Sequence, residues 1–182
     1  MPKLLKGLLI GAVLLAVIGY FGFGYMKTQT KKASPEEVAV FKMGDATITV
    51  DYSRPSKKGR VIFGELVPYG KVWRTGANEA TTVETDKDIR VGGLPLAAGK
   101  YTLWTVPEAD AWTVILNNKM YPWGVNYDGE AQRDPTGDVV KVEVPVQQLP
   151  VVVEKFTIAV EGAPPVLALK WDQTMVSVPL ER

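Results

Sequence analysis

Arg54, Lys57, Lys58, Arg60, Lys71 and Arg74 crowd one short stretch of the chain, beside Tyr69, Trp73, Asn78 and Glu79. Guanidinium forks grip carboxylates and phosphates, aromatic faces stack on sugars, and amides both donate and accept, so this set has the chemistry to hold a small anionic or sugar-like ligand. The same residues admit a structural reading. A loop with few apolar side chains becomes ordered only when its backbone groups and charges find partners. On that reading the cations pair with Glu65, Glu79 and backbone carbonyls, and Arg54 and Arg74 on Glu79 form the main staple. The cluster Arg54, Arg60, Tyr69, Trp73, Arg74, Asn78 and Glu79 is thus a candidate for ligand binding or for loop ordering, and loop ordering is the role expected.

Other chemistries are narrower. The acidic string Asp128, Glu130, Asp134 and Asp138 offers oxygens to a hard cation, but no bidentate glutamate follows at the EF-hand position, and a solvated turn is expected instead. Trp73, Trp104, Trp112, Trp123 and Trp171 would suit a sugar-stacking platform, yet four of them lie in or beside strand patterns and read as core. The chain contains no histidine and no cysteine. That removes Ser-His-Asp and Cys-His catalysis, the usual zinc and iron–sulfur ligand sets and disulfide stapling. Paired carboxylates for glycoside hydrolysis arise by chance among 20 acidic residues. No catalytic residue, metal or cofactor is therefore expected, and the chain does not read as an enzyme. With 21 basic against 20 acidic residues and a net charge of +1, no broad field attracts nucleic acid.

The elements that would position these groups alternate with period two. Ile48, Val50 and Tyr52 interleave with Thr47, Thr49 and Asp51, and Trp112, Val114 and Leu116 with Thr113, Ile115 and Asn117. Further strands are expected at residues 38–43, 72–74, 80–85, 89–91, 101–106, 139–144, 151–160, 166–171 and 175–178. Turn-forming pairs such as Gly44-Asp45, Gly92-Gly93, Asn117-Asn118 and Asp128-Gly129 punctuate them. The fold class expected is all-β: a single antiparallel β-sandwich, jelly-roll-like or immunoglobulin-like, over residues 34–182. A domain of that length buries roughly 70% of its unfolded surface without staples. At its start, Ser34-Pro35-Glu36-Glu37 carries a capping serine, proline at the first helical position and Glu37 three residues on, which predicts a helical turn.

Upstream, the run from Gly7 to Met26 carries no charge and is flanked by Lys3 and Lys6 before and Lys27, Lys31 and Lys32 after. At 1.5 Å per residue it is about 30 Å long as a helix, the thickness of a bilayer's hydrocarbon core. The expectation is a retained signal-anchor: residues 1–6 as a cytoplasmic head, 7–26 as one transmembrane helix and 27–33 as a polar linker to an exported domain. Tyr20, Phe21, Phe23 and Tyr25 crowd the exit end as an interfacial belt, and Gly7 and Gly11 have the small-xxx-small spacing that lets helices approach closely. Lysine counting alone does not set the orientation, since the far side is the more basic.

Several long motifs carry a family resemblance: the stretch from Asp51-Tyr52-Ser53-Arg54-Pro55 through Trp73-Arg74-Thr75-Gly76-Ala77-Asn78-Glu79-Ala80-Thr81, then Ala98-Gly99-Lys100-Tyr101-Thr102-Leu103, Trp112 to Asn117, Trp123-Gly124 with Tyr127-Asp128, and Trp171 through Pro179. Over residues 34–180 the chain resembles the bacterial domain of unknown function 2911. The resemblance implies an exported domain but supplies no activity and no catalytic residues. In a bacterial inner membrane the domain would then be periplasmic. The function expected is a membrane-anchored accessory or structural subunit whose helix and domain pack on a larger membrane complex, of the kind found in respiratory or photosynthetic assemblies. The alternatives are an exported binding module for a small ligand or carbohydrate and, after it, a hydrolase.

Overall fold

The computed structural model describes residues 3–182, with side-chain surroundings from Ile10 onward except at Phe23, Met26 and Lys27. Two compact units result, Met1–Ala33 and Ser34–Arg182. The first is helix α1, Lys3–Ala33. It carries on through residues 27–33, where a linker was expected. Lys31 and Lys32 stand in its last turn, where cations suit the negative end of the helix dipole, and the Thr28 hydroxyl donates back to the Gly24 carbonyl at 3.0 Å. Among the described residues no helix is long and apolar enough to cross a membrane. Met1, Pro2 and the surroundings of Gly7, one of the two packing candidates, lie outside the described residues. At the other, Gly11, an added Cβ would meet nothing within 4 Å.

The second unit is all-β. Its strands are β1 (Glu36–Met43), β2 (Ala46–Ser53), β3 (Thr82–Thr85), β4 (Ile89–Val91), β5 (Leu94–Leu96), β6 (Gly99–Pro107), β7 (Ala111–Asn117), β8 (Asp138–Glu161) and β9 (Val166–Glu181). They form one antiparallel sheet in the order β1-β2-β3-β6-β7-β8-β9-β4-β5. Two long strands fold it over. β8 pairs with β7 up to Pro145 and with β9 from Val146 onward, and its register against β9 shifts between Gln148 and Val153 and again between Val153 and Thr157. Irregularities of this kind bend and twist a strand. The two halves of the sheet therefore face each other as in a sandwich. Ile48, Val50, Leu103, Trp112 and Val114 from one half share a single core with Phe156, Ile158, Leu169, Trp171 and Val178 from the other.

Several expectations are corrected here. The helical turn at Ser34 does not form, because Glu36 already opens β1. A residue before proline is biased to extended backbone, and the Pro35 carbonyl is held by the Arg54 amide at 2.8 Å. The strands expected at 139–144 and 151–160 are one strand, as are those at 166–171 and 175–178. Residues 72–74 make only an isolated bridge, Trp73 to Thr105, while the short β5 was not foreseen. The continuous strand order also differs from the two separate sheets of an immunoglobulin-type sandwich.

Candidate functional site

The cationic loop runs from Arg54 at the end of β2 to Thr81 before β3. It is zipped onto the far half of the sheet by backbone hydrogen bonds: Phe156 N to Pro55 O at 2.9 Å, Lys57 N to the Glu154 carbonyl at 2.7 Å, and a bridge between Ser56 and Lys155. Side chains continue the seam. Arg54 donates from Nε to the Phe156 carbonyl at 3.0 Å, from Nη2 to Thr157 Oγ1 at 2.7 Å, and from Nη1 to the Glu37 carboxylate. Lys57 pairs with Asp172, and the Lys58 amide donates to Glu154 Oε1 at 2.9 Å. Arg60 turns back on its own loop, donating to the carbonyls of Lys57 at 3.0 Å and Ser56 at 2.6 Å.

Below this seam lies an aromatic cluster. Trp73 is half-buried; its ring stacks on Trp171 at 6.0 Å and meets Phe156 at 5.0 Å edge-on, while Phe63 meets Trp112 at 4.8 Å. The Trp73 indole donates to the Gly76 carbonyl at 3.1 Å. Trp104, Trp112 and Trp171 are fully buried, so their faces serve the core. The indole of Trp104 donates to Thr102 Oγ1 at 2.9 Å and its ring abuts Tyr121.

Arg74 occupies a separate position. It donates to the Trp123 carbonyl at 3.3 Å and lies 6.0 Å from the centre of the Trp123 ring. Burial pulls its guanidinium below the ordinary value, and the Glu79 charge beside it opposes that pull. Gly124 follows Trp123 with φ +79°, and a Cβ there would come within 3.1 Å of Ala80 and 3.2 Å of Trp104, so the turn beside Arg74 favours glycine both by its backbone conformation and by its tight surroundings. Asn78 is buried with φ +58° and donates to the Ser34 carbonyl at 3.1 Å and Ser53 Oγ at 3.4 Å.

Arg74 feels the Glu79 charge, and its hydrogen bond goes to the Trp123 carbonyl. The expected staple on Glu79 is corrected at Arg54, which takes Glu37 instead. The reason is register: Glu37 pairs with Tyr52 across β1 and β2, so Arg54, two residues on, faces it diagonally. Tyr69 and Lys71 remain exposed, apart from the seam. Glu37, Glu154, Thr157 and Asp172 were absent from the sequence-based cluster. No local signal marks them, because each is brought to the loop by strand pairing across the sheet.

The acidic string is also accounted for. Asn126 Oδ1 accepts from the amides of Asp128 at 3.0 Å and Glu130 at 2.8 Å. Asp134 pairs with Lys119 and caps a short 3-10 turn through the Thr136 amide at 2.9 Å, and Asp138 pairs with Arg133 and accepts from Asn117 at 2.8 Å. Among the described residues no group of three or more acidic side chains is placed to hold a metal ion.

Comparison with curated proteins and with solved structures gives no match. A family model does match, covering residues 34–180 and described as a protein of unknown function, DUF2911. By that match, which spans nearly all of the β unit, the chain belongs to the DUF2911 family.

Proposed function

We infer that the chain is a single-pass, membrane-anchored accessory subunit that works by contact, with helix and β domain both packing on a larger membrane complex and no reaction catalysed. The observation that carries the reading is the uncharged run from Gly7 to Met26, inside a helix that extends from Lys3 to Ala33. Within that run, Gly7, Leu8, Leu9, Phe23 and Met26 lie outside the described side chains, so the anchor rests on the sequence. Tyr20, Phe21 and Tyr25 are 77%, 69% and 67% exposed, as rings at a headgroup boundary would be. Contact is favoured over ligand capture because Arg54, Arg60, Trp73, Arg74 and Asn78 all have partners within the protein.

Gentle solubilisation of membranes followed by identification of co-purifying subunits tests this function. A stable partner complex whose yield falls when the gene is deleted, and is restored poorly by the domain without residues 1–33, is the expected result. Purification of the full chain alone at every detergent level would overturn it. Protease added to intact spheroplasts should digest the domain if it is periplasmic; a domain protected until lysis would reverse the orientation.

A further inference from the structure

The nine-stranded sheet has two edges, and they are built differently. β5 is three residues long and carries Pro95, a strand that offers little to a neighbour. β1 is eight residues long, lacks proline, and pairs with β2 one-to-one from Glu36 to Met43 without a bulge. Among the described residues β2 is its one hydrogen-bonded strand neighbour in the sheet, and β8 also comes close to it. Such an edge is a template for another strand.

The chemistry of β1 specifies which strand. Gly44 and Asp45 form a two-residue turn between Met43 and Ala46, with Gly44 at φ +61°. Met43 and Ala46 close the turn as a hydrogen-bonded pair, and alternation then directs the amide groups of Lys42, Val40, Val38 and Glu36 away from β2. The side chains of these same residues stand on the exposed face. Val38 is 58% and Val40 60% exposed, although their cross-strand neighbours Asp51 and Thr49 give them no apolar cover. The face therefore reads acid, valine, valine, base along the outer edge of the sheet.

That pattern complements itself. We propose that β1 pairs antiparallel with β1 of a second copy of this chain, about a two-fold axis at Ala39. In this register Val38 meets Val40 of the second copy, Glu36 meets Lys42, and symmetry repeats both pairs. The hydrogen-bonded positions of the new ladder are the four residues whose amides face outward, so backbone and side chains demand one register. Lys42 is the kind of edge charge that deters pairing with unrelated strands; its ammonium donates to Thr47 Oγ1 at 2.5 Å within the chain, and in the dimer it would meet an acid as well. A register moved by two residues in either direction loses both ion pairs. The proposal adds a self-contact to the accessory role and does not depend on it.

The chain has no cysteine, so single substitutions give clean cross-linking reporters in the full-length protein in native membranes. Ala39→Cys places two thiols at a non-hydrogen-bonded pair, with Cα atoms about 4.5 Å apart, inside the disulfide range. Val38→Cys alone places them on a diagonal of about 7–8 Å, outside it. Under copper-phenanthroline oxidation, Ala39→Cys should give a covalent dimer and Val38→Cys should not, whereas a Val38→Cys chain mixed with a differently tagged Val40→Cys chain should cross-link. In the Ala39→Cys background, Glu36→Lys or Lys42→Glu should weaken dimerisation about tenfold, because each reversal sets like charges opposite one another twice. The double reversal should restore it. Sedimentation of the cysteine-free chain in detergent, with and without Val40→Lys, guards against a cysteine that disturbs the fold; Val40→Lys should shift the dimer to monomer. A monomeric Ala39→Cys chain, efficient Val38→Cys self-cross-linking, or a dimer unaffected by Val40→Lys would each overturn the proposal.

Discussion

Replacing Arg54 with alanine separates a ligand-gripping arginine from a stapling one. Arg54 gives the Phe156 carbonyl and the Thr157 hydroxyl their donors at 3.0 and 2.7 Å, and both belong to β8, across the sandwich from its own strand. Leaving an acceptor unsatisfied in a half-buried seam costs about 1–3 kcal/mol, less where water can enter. The pairing with Glu37 adds a surface-scale contribution of about 0.5 kcal/mol, since Arg54 is 24% and Glu37 39% exposed. Together, Arg54→Ala should destabilise the domain by roughly 2–4 kcal/mol. Lysine keeps the charge but lacks a fork that reaches three acceptors, so Arg54→Lys should regain only the surface part. The assay is urea unfolding of the full chain in detergent, followed by tryptophan fluorescence, with an unchanged slope certifying that the same surface unfolds. A loss below about 0.5 kcal/mol would refute the stapling role and return Arg54 to the list of ligand-binding candidates.

Trp73→Ala should cost roughly 3 kcal/mol in the same assay, because it empties the centre of the cluster with Phe63, Phe156, Trp112 and Trp171. Gly124→Ala should lower the melting temperature by several degrees, since the new Cβ meets Ala80 and Trp104 in a backbone conformation that disfavours side chains. The hydrogen bond from Arg182 holds the Asp45 carboxyl down to about 2, and that from Lys119 holds Asp134 down to about 2. A depressed carboxyl stabilises the fold above its unfolded value near 4 and loses that contribution as pH falls toward 2, so Asp45→Asn and Asp134→Asn should flatten the acid limb of stability between those values in circular dichroism melts. Gly11→Leu should loosen association with the partner complex by about 1 kcal/mol while leaving the domain's melt unchanged, read as loss of co-purifying subunits in detergent titration.

The sheet was legible in the sequence wherever one face is buried and the other is wet. In β2, Ile48, Val50 and Tyr52 are all buried, and their polar neighbours stand on the other face. The pattern failed where burial does not alternate. Along β8 the middle is exposed on both sides, with Val151 and Val152 at 71% and 46%, so one strand looked like two separated by a loop. The false helical turn came from a capping pattern at Ser34 that tertiary pairing with β2 overrides. α1 outlasted its apolar run because lysine, glutamine and alanine continue a helix without needing a core, enough to carry the two threonines among them.

The candidate site was legible as a set of residue types but not as an arrangement. Counting cations between Arg54 and Arg74 measures how many donors the loop owns; only the sheet's register determines how many remain after Glu37, Phe156, Thr157, Glu154 and Asp172 have taken theirs. Those partners lie as far as 115 residues from their donors in sequence, so no spacing rule reaches them. The edge of β1 is the reverse case. A strand at residues 38–43 was expected from the sequence, but its apolar run did not tell which side chains face the core; pairing with β2 puts Val38 and Val40 on the exposed face, and the strand order puts them at the edge. The chemically rich loop is therefore spent on internal order, whereas the plain hydrocarbon pair at the edge stays open to a partner. If the chain works by contact, as proposed, an apolar pair flanked by opposite charges on a sheet edge has more to offer than guanidinium groups whose hydrogen bonds are already made.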